Sequence, residues 1–573
     1  MTPPRSGNDN RSARRDTIGR VSTERARPPA APPAAPHAAP PAAPPAAPPA
    51  APPAPLADGP PPADIVLCTL NARYSHASLG LRCLYANLGS LQPRARIVEF
   101  TVATPIEAMV RRLLALSPRV LGLGVYIWNV SQTTALLRAL RTAAPRLHVV
   151  LGGPEVSHEL DGQPIVALAD HVITGPGDLA FARLCRQLLD GPRPLMKVIA
   201  GDVPEPDALA SPYRWYDEAD IAHRNLYVEA SRGCPFRCEF CLSALDRTAR
   251  AFDLQRFLAE MGALHARGAR RFKFVDRTFN LKVASSLAIL EFFLQRIAAH
   301  PDDPVFVHFE LVPDHLPAPL RAAIARFPPG CLQFEIGIQT WNPAVQATIS
   351  RRQDNERAAA NLRWLQAHSH AHLHVDLIAG LPGEDLASFG AGFDRLVALA
   401  PHEIQVGLLK RLRGAPIARH SAAFGLRFDT EPPYQVRATD ALPAAHVQRL
   451  ARFARYWDLY ANSGRFPGTL PVLLADAPFA RFMRFADWLV AHGDRAHRSS
   501  LETRAERLHR FLIEQDGHPE ARATEWLAAD YAASGARGRP GFLARGLAGG
   551  VRARGAIGPT PARQARHLPA PSR

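Results

Sequence analysis

The stretch Glu229–Leu242, EASRGCPFRCEFCL, decides how the rest of the 573-residue chain is read. It sets Cys234, Cys238 and Cys241 in C-x3-C-x2-C spacing directly after a short apolar segment. Thiolates are the usual ligands of iron–sulfur clusters, and three from one tight loop can hold three corners of a cubane. With no fourth cysteine nearby, one iron would lack a protein ligand. Such an open position marks a reactive centre rather than a closed structural one. Zinc would need a fourth Cys or His at suitable spacing, and none lies near. Three unrelated buried thiols are the remaining reading. Cys68, Cys83, Cys185 and Cys331 sit in apolar contexts and read as small core residues.

Outward from that loop, the sequence alternates between apolar strands and helical segments. Leu226–Ala230, Arg271–Val275, Val305–Leu311, Leu332–Ile338, His372–Ile378 and Glu403–Leu408 read as strands. The intervening segments carry apolar residues at three-to-four spacing. Six such units predict a partial (β/α)6 barrel of TIM type over 225–428, with chemistry gathered at the carboxyl ends of its strands. Upstream, Ile65–Leu70, Arg96–Phe100, Val120–Tyr126, His148–Leu151 and Val172-Ile173 are further apolar strands, again separated by helices. Near-continuous apolar strands imply a parallel sheet covered on both faces. The class is therefore α/β: a doubly wound (Rossmann/flavodoxin-like) domain over 64–190, a linker over 191–224, then the barrel. From 429 to 547 the pattern turns helical, as in VQRLARFARYWDLYAN (447–462). The aromatic residues Tyr456, Trp457, Tyr460 and Phe466 suit either a lid or a core.

The termini differ in kind. Residues 1–62 are crowded with APPAAP repeats, which favour polyproline II and cannot pack a core, so a disordered arm is expected. Residues 548–573 read as a basic disordered tail. The formal charge of +16 is concentrated in these ends: seven Arg face four acids in residues 1–62, and eight Arg face none in 535–573. The body between gives no electrostatic case for nucleic acid. No apolar run reaches the length of a membrane span, and no secretory signal opens the chain. With few cysteines for the length, a reduced, cytoplasmic protein is expected.

The cysteine triplet after the first strand of a six-unit barrel resembles the radical S-adenosylmethionine superfamily. The sheet ahead of it is similar to the cobalamin-binding domain of one branch of that superfamily. VDRTFNL (275–281), FEIGIQTWNP (334–343) and LIAGLPGE (377–384) fall at strand ends as in that branch. PPYQ (432–435) and RFARYWDLYANSGRF (452–466) resemble a C-terminal domain of unknown function found in one uncharacterised subfamily. The resemblance implies a [4Fe-4S] cluster on Cys234, Cys238 and Cys241, whose open iron is chelated by S-adenosylmethionine. Carried over by position, Phe240 would approach the adenine, and Asp276 and Thr278, within Asp276–Phe279, would meet the amino group. Glu310 and Gln339 would bind the ribose. Arg351 or Arg352 would pair with the carboxylate, and Ile378 and Gly380 would pass the adenine.

For cobalamin, the D-x-H-x-x-G signature is absent: Tyr74 stands where Asp would precede His76. The resemblance places His76, Trp128 and Asn129 near the corrin. Its nucleotide tail would thread past Gly152, Gly153 and Glu155, and past Gly175, Gly177 and Asp178. The implied activity is generation of a 5′-deoxyadenosyl radical, with methylation of an unactivated carbon of an unknown substrate as the chemistry. One alternative keeps radical chemistry with a vestigial cobalamin domain and no methylation. Another is a cobalamin or redox sensor. A flavodoxin- or ferredoxin-type electron donor is the expected partner, with no membrane and no nucleic acid.

Overall fold

The computed structural model describes residues 62–494, 499–536, 538–543 and 560–568. The arm expected over 1–62 lies outside them except at its last residue.

The first sheet contains β1 (Ile65–Asn71), β2 (Ala95–Thr101), β3 (Val120–Gly124), β4 (His148–Gly152), β5 (His171–Thr174) and β6 (Val198–Ala200). They run parallel in the order β2-β1-β3-β4-β5-β6. All of β1 is buried because its alternate side chains enter two separate cores. Val66, Cys68 and Leu70 pack with Met109, Leu113 and Leu136 from helices Ile106–Leu114 and Val130–Ala143. Ile65 and Leu67 pack with Leu81 and Phe181 from helices Leu79–Ala86 and Ala180–Asp190. Two covered faces demand apolar side chains at every strand position, which is why these strands read as unbroken apolar runs. Strand β6 arises within the segment expected as a linker. Only three residues long and mostly exposed, it offers no periodic signal.

The second sheet is built from β7 (Leu226–Val228), β10 (Arg271–Phe274), β11 (Phe306–Leu311), β12 (Leu332–Gln339), β13 (His372–Ala379) and β14 (Glu403–Leu408). Its order is β14-β13-β12-β11-β10-β7, all parallel. Among the described residues β7 and β14 are not paired, so the barrel stays open on one side. Between β7 and β10, the two-residue strands β8 (Ser231–Arg232) and β9 (Arg250–Ala251) pair antiparallel and bracket the cysteine loop.

A hairpin of β15 (Arg427–Phe428) and β16 (Val436–Ala438) precedes the C-terminal helices. Helix Ala444–Tyr460 packs edge-on to the barrel helix Leu386–Ala398, with the Phe393 ring 4.9 Å from Phe453 and 4.7 Å from Trp457. Tyr456, Trp457, Tyr460 and Phe466 are all buried, so they form core rather than a lid. No helix among the described residues is long and apolar enough to cross a membrane.

The expectation of a disordered basic tail fails for Thr560–Leu568. Thr560 Oγ1 donates to the Gly330 carbonyl at 2.7 Å, and Gln564 Nε2 donates to Gln333 Oε1 at 3.1 Å. Arg563 reaches Glu403 at 2.9 Å and Asp458 at 2.6 Å. Its guanidinium neutralises a buried carboxylate at the start of β14, and composition could not reveal that partner.

Candidate functional site

The cysteine loop leaves the end of β7 and is fixed at both shoulders. Gly233 has φ +90°, and a Cβ there would collide with the Thr248 carbonyl, so only glycine suits the position. Cys234 N–H donates to the Asp246 carbonyl at 2.9 Å. Between the second and third cysteines, buried Glu239 accepts hydrogen bonds from Ser350 Oγ at 2.5 Å and Arg419 Nε at 2.8 Å, and lies 2.7 Å from His420 Nε2. A buried carboxylate satisfied this fully ties the loop to two distant segments.

Cys234, Cys238 and Cys241 open into one cavity of about 250 Å³ at the carboxyl ends of the strands. Phe240, Thr278, Glu310, Gln339, Arg351 and Arg352 also line it, so the barrel brings these expected residues together. Arg351 Nη1 lies 3.5 Å from Cys238 Sγ, and its Nη2 donates to the Gly337 carbonyl. Burial pushes the thiols of Cys234 and Cys238 above their ordinary range, with Arg351 partly offsetting it at Cys238. Gln339 has φ +68° beside a break in register between Gly337 and Gln339, a conformation uncommon for a residue with a side chain. Glu310 pairs with Arg277 Nη1 at 2.9 Å, yet burial still raises its pKa.

Three expected residues stand elsewhere. Asp276 does not line the cavity. Its carboxylate turns back to accept from Ala230 N–H at 2.9 Å and Ser231 Oγ at 2.6 Å, bracing the start of the loop. Ile378 packs against the main core, and a Cβ at Gly380 would meet Val436 Cγ1 at 2.6 Å, so hairpin packing occupies that side.

Sequence reasoning missed Glu335 and Asp376, which line the same cavity. Both belong to a polar column inside the barrel. Glu335 Oε2 lies 3.3 Å from His308 Nε2 and 3.6 Å from Lys273 Nζ. His374 lies 3.3 Å from Asp376 Oδ1 and 3.4 Å from Glu403 Oε2. Burial opposes charge on His374, but these two carboxylates outweigh it and push its pKa to about 10. The missed signal was charge at alternate positions within apolar strands (His308 and Glu310, His374 and Asp376), the period of an inward-facing row.

A second cavity, of about 270 Å³, lies against the first sheet. Gly122, Gly124, Gly152 and Gly153 contribute bare backbone to it, with Leu81, Leu84, Ile173 and Phe181 as apolar lining. Gly153 has φ +108° and its backbone packs directly on Val125. Gly175, Gly177 and Asp178 also line this cavity, whereas four of the other residues named for cobalamin do not. His76 Nδ1 is engaged with the Tyr227 hydroxyl at 2.5 Å. Trp128 stacks on Tyr126 with centroids 4.4 Å apart and stays half exposed. Asn129 is fully buried, accepting from Tyr126 N–H at 2.8 Å and donating to the Leu70 carbonyl at 3.1 Å, which makes it a backbone brace. Glu155 pairs with Arg413 at 2.9 Å and accepts from the Tyr434 hydroxyl at 2.6 Å. For His76 and Glu155 the partners are distant in sequence, whereas Trp128 and Asn129 are engaged by the neighbouring Tyr126.

Arg232, two residues before Cys234, reaches both carboxylate oxygens of Asp178 through Nη1 at 3.1 Å. It also holds Glu229, with Nη2 at 2.6 Å. The four remaining cysteines, Cys68, Cys83, Cys185 and Cys331, are buried, as expected of core residues.

Comparisons with known proteins follow this division of the chain. Residues 65–185 match the model of the B12 binding domain, residues 228–395 that of the Radical SAM superfamily, and residues 422–548 that of a protein of unknown function (DUF4080). An uncharacterized methyltransferase of Pyrococcus horikoshii is 26% identical over 198 residues, covering 30% of this chain and 42% of that protein. One from Synechocystis sp. is 37% identical over 79 residues, covering 13% and 15%. The matched region thus spans less than half the length of either relative. Among solved structures, the radical S-adenosylmethionine methyltransferase TsrM of Kitasatospora setae, with cobalamin and a [4Fe-4S] cluster bound, superposes with a TM-score of 0.52. It is 16% identical, over 82% of this chain and 99% of that one. The cobalamin-dependent S-adenosylmethionine radical enzyme OxsB, with aqua-cobalamin bound, gives a TM-score of 0.54 at 13% identity, over 82% and 81%. At these identities the likeness is one of fold. The chain thus carries a radical SAM domain, with a B12 binding domain ahead of it and a DUF4080 segment after it.

Proposed function

We propose that this protein is a cobalamin-dependent radical S-adenosylmethionine enzyme that methylates an unactivated carbon. The observation that carries the reading is the single cavity shared by Cys234, Cys238, Cys241 and a ring of polar strand-end residues. Three thiolates lining one cavity, with no fourth cysteine beside them, are the donors a cubane takes at three of its corners. The donor set therefore fits a [4Fe-4S] cluster.

When bound, the cluster would supply the electron that cleaves S-adenosylmethionine, and cobalamin would supply the methyl group. The chain's own residues do the rest. Arg351 and Arg352 offer guanidiniums to a carboxylate. Glu310 and Gln339 offer hydrogen-bond partners to a ribose. Phe240 contributes an apolar face to the cavity, and Asp276 holds the loop rather than the ligand. In the second cavity, bare glycine backbone opposite apolar side chains makes a slot that fits a flat group such as a nucleotide base.

Anaerobic reconstitution with iron and sulfide tests the reading. A broad visible charge-transfer band, with 5′-deoxyadenosine released on reduction in the presence of S-adenosylmethionine, is the expected result. A loaded cluster that yields no nucleoside overturns it. Retention of hydroxocobalamin through gel filtration separates the methylating reading from one with a vestigial domain.

A further inference from the structure

We propose that Arg232 links occupancy of the sheet cavity to order in the cysteine loop, so that corrinoid binding and cluster retention reinforce one another. This rests on the cofactor reading above. Arg232 lines the sheet cavity, as do Asp178 and Glu229. Its fork is divided between the domains: Nη1 bonds both oxygens of Asp178 at 3.1 Å, while Nε bonds both oxygens of Glu229 at 3.0 Å. Asp178 lies just ahead of helix Ala180–Asp190 in the first domain, whereas Glu229 lies just beyond β7 in the barrel. Both carboxylates are buried, and Cys83 Sγ sits 3.6 Å from Nη2.

Two buried carboxylates facing one guanidinium leave the triad with one net negative charge. Such a group favours a ligand that brings hydrogen-bond donors, for example the amide side chains of a corrinoid. A donor that satisfies Asp178 relieves this excess and holds the cavity side of the bridge in place. The other side is the backbone of β8, which runs through Gly233 into Cys234. Gly233 alone separates Arg232 from Cys234, and its backbone runs so close to the Thr248 carbonyl that a Cβ there would collide with it. The Cys234 N–H is in turn held by the Asp246 carbonyl at 2.9 Å, so the guanidinium and the first thiol share one closely packed stretch of backbone. Binding free energy shared through one element acts equally in both directions.

The experiment is a two-way linkage measurement. Hydroxocobalamin affinity is measured by equilibrium dialysis on metal-free and on cluster-loaded protein. Iron release to a chelator is followed at equilibrium with and without hydroxocobalamin. In the wild type each ligand should tighten the other by the same factor, about fivefold or more. In Arg232→Gln, and independently in the near-isosteric Asp178→Asn, that factor should fall towards one. Melting curves on both variants identify any that fail to fold, and the linkage ratio responds to coupling rather than to general destabilisation. Equal hydroxocobalamin affinity with and without cluster in the wild type overturns this inference while leaving the cofactor reading intact. Linkage that survives in both variants overturns the role of Arg232. A wild-type chain that binds no corrinoid overturns the cofactor reading, and this inference with it.

Discussion

Arg351 Nη1 stands 3.5 Å from Cys238 Sγ, joining the segment after β12 to the middle thiol of the cysteine loop. A guanidinium so placed favours thiolate over thiol and so favours metal loading. Cys238→Ala leaves two sulfurs, too few to hold a cubane. Iron in reconstituted protein should fall from about four per chain to near zero. Iron near the wild-type level would contradict the assignment. Arg351→Ala should load the cluster incompletely and weaken S-adenosylmethionine binding, read by equilibrium dialysis.

The sheet cavity can be filled without disturbing the fold. A Cβ at Gly152 meets nothing nearer than the Ile173 carbonyl at 3.8 Å. Gly152→Val should cut hydroxocobalamin retention at least about tenfold, a loss of about 1.4 kcal/mol, with the melting temperature almost unchanged. At the next position the result should reverse. Gly153→Ala meets strain and the Val125 backbone, and should cost about 2 kcal/mol in denaturant titration. Equal retention in Gly152→Val and wild type would remove the cavity from cofactor binding.

Asp276 gives a pH signature. Burial raises its pKa from the ordinary 3.8 to about 7, against the pull of Ser231 and the Ala230 N–H. The folded state therefore holds a proton that the unfolded chain has released, and stability declines as pH rises from about 4 to 7. Each unit of that difference is worth about 1.4 kcal/mol. Asp276→Asn should flatten this part of the stability profile, measured by melting temperature across the window. The slope that remains belongs to groups such as Glu384, which burial also raises to about 7. An unchanged profile would mean that Asp276 ionises normally.

The C-terminal contact has its own test. Arg563 neutralises Glu403, which is almost fully buried. Arg563→Ala should cost about 1.5–3 kcal/mol, the range for a hydrogen bond to a charged group, since His372 and His374 still partner Glu403. Deletion of residues 560–573 should cost at least as much by denaturant titration. A deletion without effect would show that the segment does not dock in solution.

How far the sequence could be read follows from where each side chain finds its partner. The eleven strands anticipated are local features: a parallel strand covered on both faces must be apolar throughout, and Ile65–Leu70 announces that without help, while Leu332–Ile338 alternates apolar residues with Gln333 and Glu335. The cysteine loop is local too, since fourteen consecutive residues carry it. Strand β6 was invisible because Val198–Ala200 buries almost nothing. Glu155 sits in a turn that reads as a ligand loop, yet its partners, Arg413 and Tyr434, lie more than 250 residues away. Asn129 and Asp276 are engaged with backbone instead: Asn129 accepts from the Tyr126 N–H and Asp276 from the Ala230 N–H. Glu335 and Asp376 were hidden among apolar neighbours, although their alternation pointed to the barrel interior.

The docking of Thr560–Leu568 against Gly330, Gln333 and Glu403 has a consequence for biosynthesis. The segment that covers Glu403 emerges from the ribosome some 150 residues after β14. Until it does, that charged end of the barrel faces water without its guanidinium. Polypeptides that stop short of residue 560 would leave this end of the barrel without Arg563 on Glu403 and without the bonds to Gly330 and Gln333.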